Sequence, residues 1–200
     1  MRDLAFVVSI LAASALAVAA EPSVAQDVTV TVAESADRTT RTLTHETTVP
    51  AGVGQVWNAV ATAEGWRTWA VPLAREIPGA DRFETSYNPA ASPGGPDTIE
   101  HEWLSREAPK HATFRTTRTP AGFPHAEAYM RVVSAFVLTP LGPDATHVRL
   151  VSEGYGADEA GDALIDFFRE GNRMTLEQLK ARFVSGPVDW SNRPSAPAGD

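Results

Sequence analysis

The segment Thr48–Trp69, TVPAGVGQVWNAVATAEGWRTW, constrains the fold of this chain more than any other stretch. A short β-like run, Thr42–Val49, ends at Pro50. Val53, Val56, Trp57 and Val60 follow at the spacing that places them on one face of a short helix. Gly65 is expected to break that helix, and Trp66 and Trp69 are neighbours on the next turn. Near the other end, Ala163–Phe183 is a long amphipathic segment. A strand, a small helical pair, a run of strands and one long final helix build a curved sheet that grips a helix. The space between them is the natural place for function.

The strands between these landmarks are short and punctuated. Leu73–Ile77, Arg82–Tyr87, Thr98–Arg106 and Ala112–Thr119 are separated by Pro78-Gly79, by a long Asn88–Asp97 loop and by Pro109. Ala126–Pro140 reads as the best strand, and with Thr146–Tyr155 it is expected to form an antiparallel hairpin near the sheet centre. The closing helix starts near Glu159 or Gly161, and Leu164, Phe167, Phe168, Gly171, Met174 and Leu179 trace its inward stripe. The expected organisation is a signal segment at 1–25, a lead-in at 26–41, one domain at 42–183 and a disordered tail at 184–200.

Composition narrows the function. The net charge of −8, with no Lys/Arg run, argues against nucleic acid as a partner. The absence of cysteine excludes disulfides, thiol nucleophiles and Cys-ligated metals. The five histidines show no short metal-ligand spacing, so neither a metal nor a cofactor is expected. Arg2 followed by the apolar run Leu4–Ala20 reads as a secretory signal peptide, with cleavage after Ala19, Ala20 or Ala25. A periplasmic or secreted protein without a stable membrane anchor after cleavage is the expectation. The competing reading is a retained N-terminal anchor.

With those residues placed, the chain resembles the SRPBCC or START-like superfamily, the helix-grip fold. It is most similar to the branch of homologues of the heat-shock-protein-90 ATPase activator. Three places carry the resemblance: Pro50-Ala51 with Val56-Trp57-Asn58-Ala59, Gly65-Trp66 and Trp69; the hairpin Phe136–Leu141 with Ala145–Leu150 and Gly154-Tyr155; and Phe167–Phe183. Where that branch usually has Gly-Trp in the closing helix, this chain has Gly171-Asn172, which implies a wider or more polar pocket. The resemblance implies an α+β fold, with a curved antiparallel sheet around a long C-terminal helix and two short helices after the first strand. It also implies a hydrophobic cavity between sheet and helix; a ligand does not follow from it, because one fold hosts many functions.

Candidate wall residues are Trp69, Phe83, Tyr87, Trp103, Phe114, Tyr129 and Phe167, with Gly171 and Met174 on the helix. Ordinary core packing is the competing reading for each aromatic. Alternation puts His101 and Trp103 on one face and Glu100 and Glu102 on the other. An inward His101 can bond a ligand or act as a general base, and a solvated strand face is the competing reading. Tyr129 and Arg131 share a face by the same rule, and an inward Arg131 can clamp a carboxylate. No nucleophile elbow or phosphate loop is present. The leading expectation is therefore a protein that binds a hydrophobic small molecule or lipid rather than an enzyme. An acid–base enzyme of the cyclase or dehydratase type, and a protein-interaction module like the ATPase activator, are the alternatives.

Overall fold

The structure is a computed structural model and describes residues 28–192. The expected signal segment and residues 193–200 of the expected tail lie outside that range. The described chain runs β1 (Thr29–Glu34), β2 (Thr40–Val49), α1 (Val53–Val60), α2 (Ala63–Arg67), β3 (Leu73–Glu76), β4 (Arg82–Ser86), β5 (Ile99–Glu107) and β6 (His111–Arg118). It continues through α3 (Ala126–Tyr129), β7 (Val133–Gly142), β8 (Ala145–Gly156), α4 (Glu159–Ser185) and a 3-10 turn at Trp190–Asn192. All eight strands form one antiparallel sheet in the order β1-β2-β8-β7-β6-β5-β4-β3. The lead-in at 26–41 supplies an additional edge strand, with Thr29 opposite Glu46. The expected β7–β8 hairpin sits at the sheet centre, with Leu138 opposite Val148.

The opening helices are built by local hydrogen bonds that the sequence reading only partly anticipated. α1 and α2 break at Ala61-Thr62, not at Gly65. Thr62 caps α2 by accepting from the Gly65 amide at 3.0 Å, and its hydroxyl donates back to the Asn58 carbonyl at 2.8 Å. Gly65 lies inside α2 because the two helices touch there. A Cβ at Gly65 would stand 2.0 Å from the Asn58 carbonyl oxygen. The tryptophans then close the end of α1. The Trp66 indole donates to the Val60 carbonyl at 2.8 Å, and the Trp69 indole to the Ala59 carbonyl at 2.9 Å. These are terminal carbonyls that the helix itself leaves without partners.

The stretch Ala126–Val132 corrects the expected strand Ala126–Pro140. It forms a helical turn, with Tyr129 and Met130 amides bonded to the His125 and Ala126 carbonyls at 2.9 Å each. Ala126, Glu127 and Ala128 favour helix, and ladder pairing to β6 and β8 begins only at Val133. α4 runs to Ser185, and the chain then folds back. The Val188 amide bonds the Thr68 carbonyl at 2.9 Å and the Trp190 indole bonds the Arg67 carbonyl at 2.6 Å.

α4 has 27 residues, which makes it about 40 Å long. It begins with an Asp158 side chain accepting from the Gly161 amide at 2.9 Å. Gly161 packs against the end of β8, where a Cβ would meet the Gly156 carbonyl oxygen at 1.9 Å. Two separate hydrophobic clusters hold the helix. Leu164 and Ile165 pack with Leu43, Val132 and Tyr155, while Leu176 and Leu179 join the main core of Val56, Trp69, Phe83, Trp103 and Phe136. Between them the His45 ring bonds the Arg169 carbonyl at 2.9 Å through Nε2.

The close approach of α2 to α1 gives a paired expectation. Gly65→Ala should cost about 1–3 kcal/mol, the scale of overpacking a tight contact. Gly54, exposed on α1 with open space around a Cβ, should gain about 0.5–1 kcal/mol on substitution by Ala. Urea unfolding midpoints of the two variants against the parent check both signs.

Candidate functional site

The two clusters under α4 do not meet, and a cavity of about 430 Å³ lies between them. The sheet supplies its inner wall by strict alternation. Ile99 and His101 come from β5, Phe114 from β6, Ser134 and Phe136 from β7, and Leu150 and Ser152 from β8. Tyr155 would point outward by that count. Gly154, at φ +94°, is an extra residue against β2, where Arg41 pairs with Tyr155 and Thr42 with Glu153. This bulge returns Tyr155 to the inner face, where it is buried. Trp66 closes the α2 side. Phe167, Phe168, Gly171 and Met174 line the helix side, and Pro120, Phe123 and Tyr129 come from the segment between β6 and β7.

The rings line the cavity as two groups on opposite sides. Phe114 and Phe136 stack with centroids 6.1 Å apart on the sheet. On the opposite side Tyr129 stacks on Phe168 at 4.6 Å, and Phe123 meets Tyr129 and Phe167 at 5.2 and 5.9 Å. Tyr87, Phe167 and Met174 are exposed at its rim. Tyr87 begins a loop that is anchored from the far face of β4. There Glu84, 2% exposed, accepts from the Gly94 amide at 2.9 Å and pairs with Arg75.

Polar groups are few and mutually bonded. His101 is buried, with Nε2 3.0 Å from the Thr85 hydroxyl and Nδ1 3.2 Å from the Thr116 hydroxyl. Burial pushes its imidazolium down to about 3, so the ring is neutral at ordinary pH. Thr116 lies within hydrogen-bonding reach of Tyr129, whose phenol burial raises to about 12. Burial also raises the Tyr155 phenol, beside Ser152, and Ser152 bonds Ser134 at 2.9 Å. All three tyrosines of the chain line the cavity as intact O–H groups at neutral pH. Among the described residues no group of three or more His, Asp or Glu is placed to hold a metal ion.

Of the residues singled out in the sequence, Tyr87, His101, Phe114, Tyr129, Phe167, Gly171 and Met174 lie in this wall. Trp69, Phe83 and Trp103 belong to the packed core instead. Trp69 is committed to α1, and Phe83 is stacked between His101 and Trp103 at 4.7 and 4.3 Å. Arg131 is exposed and outside the wall, because the helical turn at 126–132 removes the alternation that placed it beside Tyr129. Thr85, Thr116, Ser134 and Ser152 went unread, although the period-two pattern that found His101 points to each of them.

The sequence model of one protein family, described as polyketide cyclase / dehydrase and lipid transport, matches residues 40–184. No curated protein sequence matches the chain. Among solved structures, a protein from Mesorhizobium loti is similar at 19% identity and TM-score 0.56, over 74% of this chain and 100% of that one. The Aha1 dimer from Colwellia psychrerythraea is similar at 16% identity and TM-score 0.53, over 72% and 97% of the two chains. Norcoclaurine synthase from Thalictrum flavum, in complex with dopamine and hydroxybenzaldehyde, is similar at 13% identity and TM-score 0.52, over 72% and 86%. At these identities the structural likeness concerns the fold, which is the helix-grip fold.

The buried His101 makes stability depend on pH in a stated direction. Its folded value of about 3 lies below the ordinary 6.5, so the unfolded chain takes up a proton first. Its contribution is complete above about pH 6.5 and declines as pH falls toward 3, by at most about 1.4 kcal/mol per pH unit. His101→Gln should flatten the fall in urea midpoint between pH 7 and pH 5. The remaining slope includes His45, which burial also shifts down.

Proposed function

The chain belongs to the polyketide cyclase / dehydrase and lipid transport family, within the SRPBCC superfamily, and we propose that it is a binding protein for an apolar or amphipathic small molecule held between the sheet and α4. One observation carries this reading: an aromatic cavity of about 430 Å³ that the chain's own side chains leave unfilled. That volume lies within the range of small-molecule sites. Burial of ligand surface supplies the affinity, at roughly 25 cal/mol per Å² of apolar area. Gly171 supports the reading further. A mid-helix glycine costs about 1 kcal/mol against alanine, and nothing stands within 4 Å of where its Cβ would be. Its lack of a side chain leaves space in the wall and serves no close backbone contact.

Acid–base catalysis on such a ligand is the second reading, favoured by the inward placement of His101. A ring that stays neutral to about pH 3 is a weak general base, which supports binding over turnover. Export to the periplasm is part of the proposal and rests on the apolar run Leu4–Ala20. Intact mass of the protein from a periplasmic fraction, shortened at Ala19, Ala20 or Ala25, supports it; a full-length cytosolic protein overturns it.

The binding reading is tested by native mass spectrometry of the purified protein, followed by solvent extraction, and by titration with N-phenyl-1-naphthylamine. A retained molecule or saturable probe binding is expected. Gly171→Leu, which fills the cavity from the helix, should weaken probe binding at least about tenfold while leaving the melting temperature equal or higher. Binding by neither method overturns the reading.

A further inference from the structure

We propose that the cavity selects uncharged ligands: apolar molecules carrying a hydroxyl or carbonyl oxygen, with carboxylates, phosphates and alkylammonium ions excluded. The proposal rests on the binding reading above and names its ligand class.

The chain has 17 basic and 25 acidic residues, yet no Asp, Glu, Lys or Arg stands among the residues that line the cavity. The charges of the adjoining helix turn away, with Arg173 paired to Glu170 and Glu177 on its exposed side. The one wall group that could become a cation, His101, has both ring nitrogens bonded to threonine hydroxyls. A buried ligand charge would therefore meet no counter-charge, and such a charge is costly to take from water.

A neutral oxygen meets a different environment. The phenols of Tyr87, Tyr129 and Tyr155 and the bonded pair Ser134–Ser152 are hydroxyls that both donate and accept. Thr116 bonds His101 Nδ1, and the neutral imidazole donates from one nitrogen and accepts at the other. The chain of hydroxyls can therefore turn to suit either a ligand hydroxyl or a carbonyl, without creating charge. Asn172 and Gln178 add neutral amides on the helix side.

The test uses two matched pairs at pH 7.5, 2-naphthol against 2-naphthoate and dodecanol against dodecanoate, titrated into the purified full chain by tryptophan fluorescence. Trp66, in the wall, reports occupancy. In each pair the alcohol should bind at least about 100-fold more tightly than the acid, the scale expected for an unpaired buried charge. Asn172→Lys, on a half-buried helix position, should narrow that ratio at least about tenfold with an unchanged melting temperature. An acid that binds as tightly as its alcohol in either pair overturns the proposal. Failure of all four compounds to bind overturns the binding reading itself, a distinct result.

Discussion

The structure depends on how one helix is seated. α4 touches the sheet firmly at two places, through Leu164 and Ile165 near its start and through Leu176 and Leu179 further along. The turns between them span a gap. Side chains there line the gap, as Phe168 and Asn172 do, stand at its rim, as Phe167 and Met174 do, or are absent, as at Gly171. Two hydrophobic contacts thus hold open a third region that would otherwise collapse, since protein interiors pack to crystal-like density when nothing prevents it. The curved sheet, the helix caps and the Gly154 bulge all serve to set those two contacts and to turn polar hydroxyls into the space between.

The chemistry of that space follows from the same arrangement. Period-two alternation on β2 and on β4 to β8 sends carboxylates and arginines to the outer face, where they pair across strands, as Glu102 does with Arg115 and Glu46 with Arg149. What remains inside on the sheet is apolar or hydroxylic, apart from one imidazole. The single imidazole is kept neutral by burial rather than by a charged neighbour. The polarity of the sheet side comes from hydroxyl oxygens and one neutral imidazole.

Much of this was legible in the residues. The β7–β8 hairpin and α4 carry clear periods, and the strand–helix opening is marked by Val53, Val56 and Val60 at helical spacing. Alternation on β5 put His101 and Trp103 on one face, and both are buried in the structure. The failures share a cause, which is that a period holds only while pairing or helix geometry is unbroken. Tyr129 and Arg131 lost their common face when the chain coiled before reaching its ladder partners. Gly65 reads as a breaker from its intrinsic preference, and only the packing of α2 on α1 reveals it as a contact point. Trp69, Phe83 and Trp103 resemble wall residues in sequence because core and cavity draw on the same aromatic side chains.

The gap beneath Gly171 also bears on how long the protein survives. Dispersion contacts that a filled core would make are missing along that part of α4, so the empty molecule is less stable than its composition allows. A molecule that fits the gap binds the folded chain and not the unfolded one, and raises stability by mass action. Under the binding reading proposed above, occupancy and resistance to proteolysis become one variable, and the abundance of the protein would record the ligand's concentration.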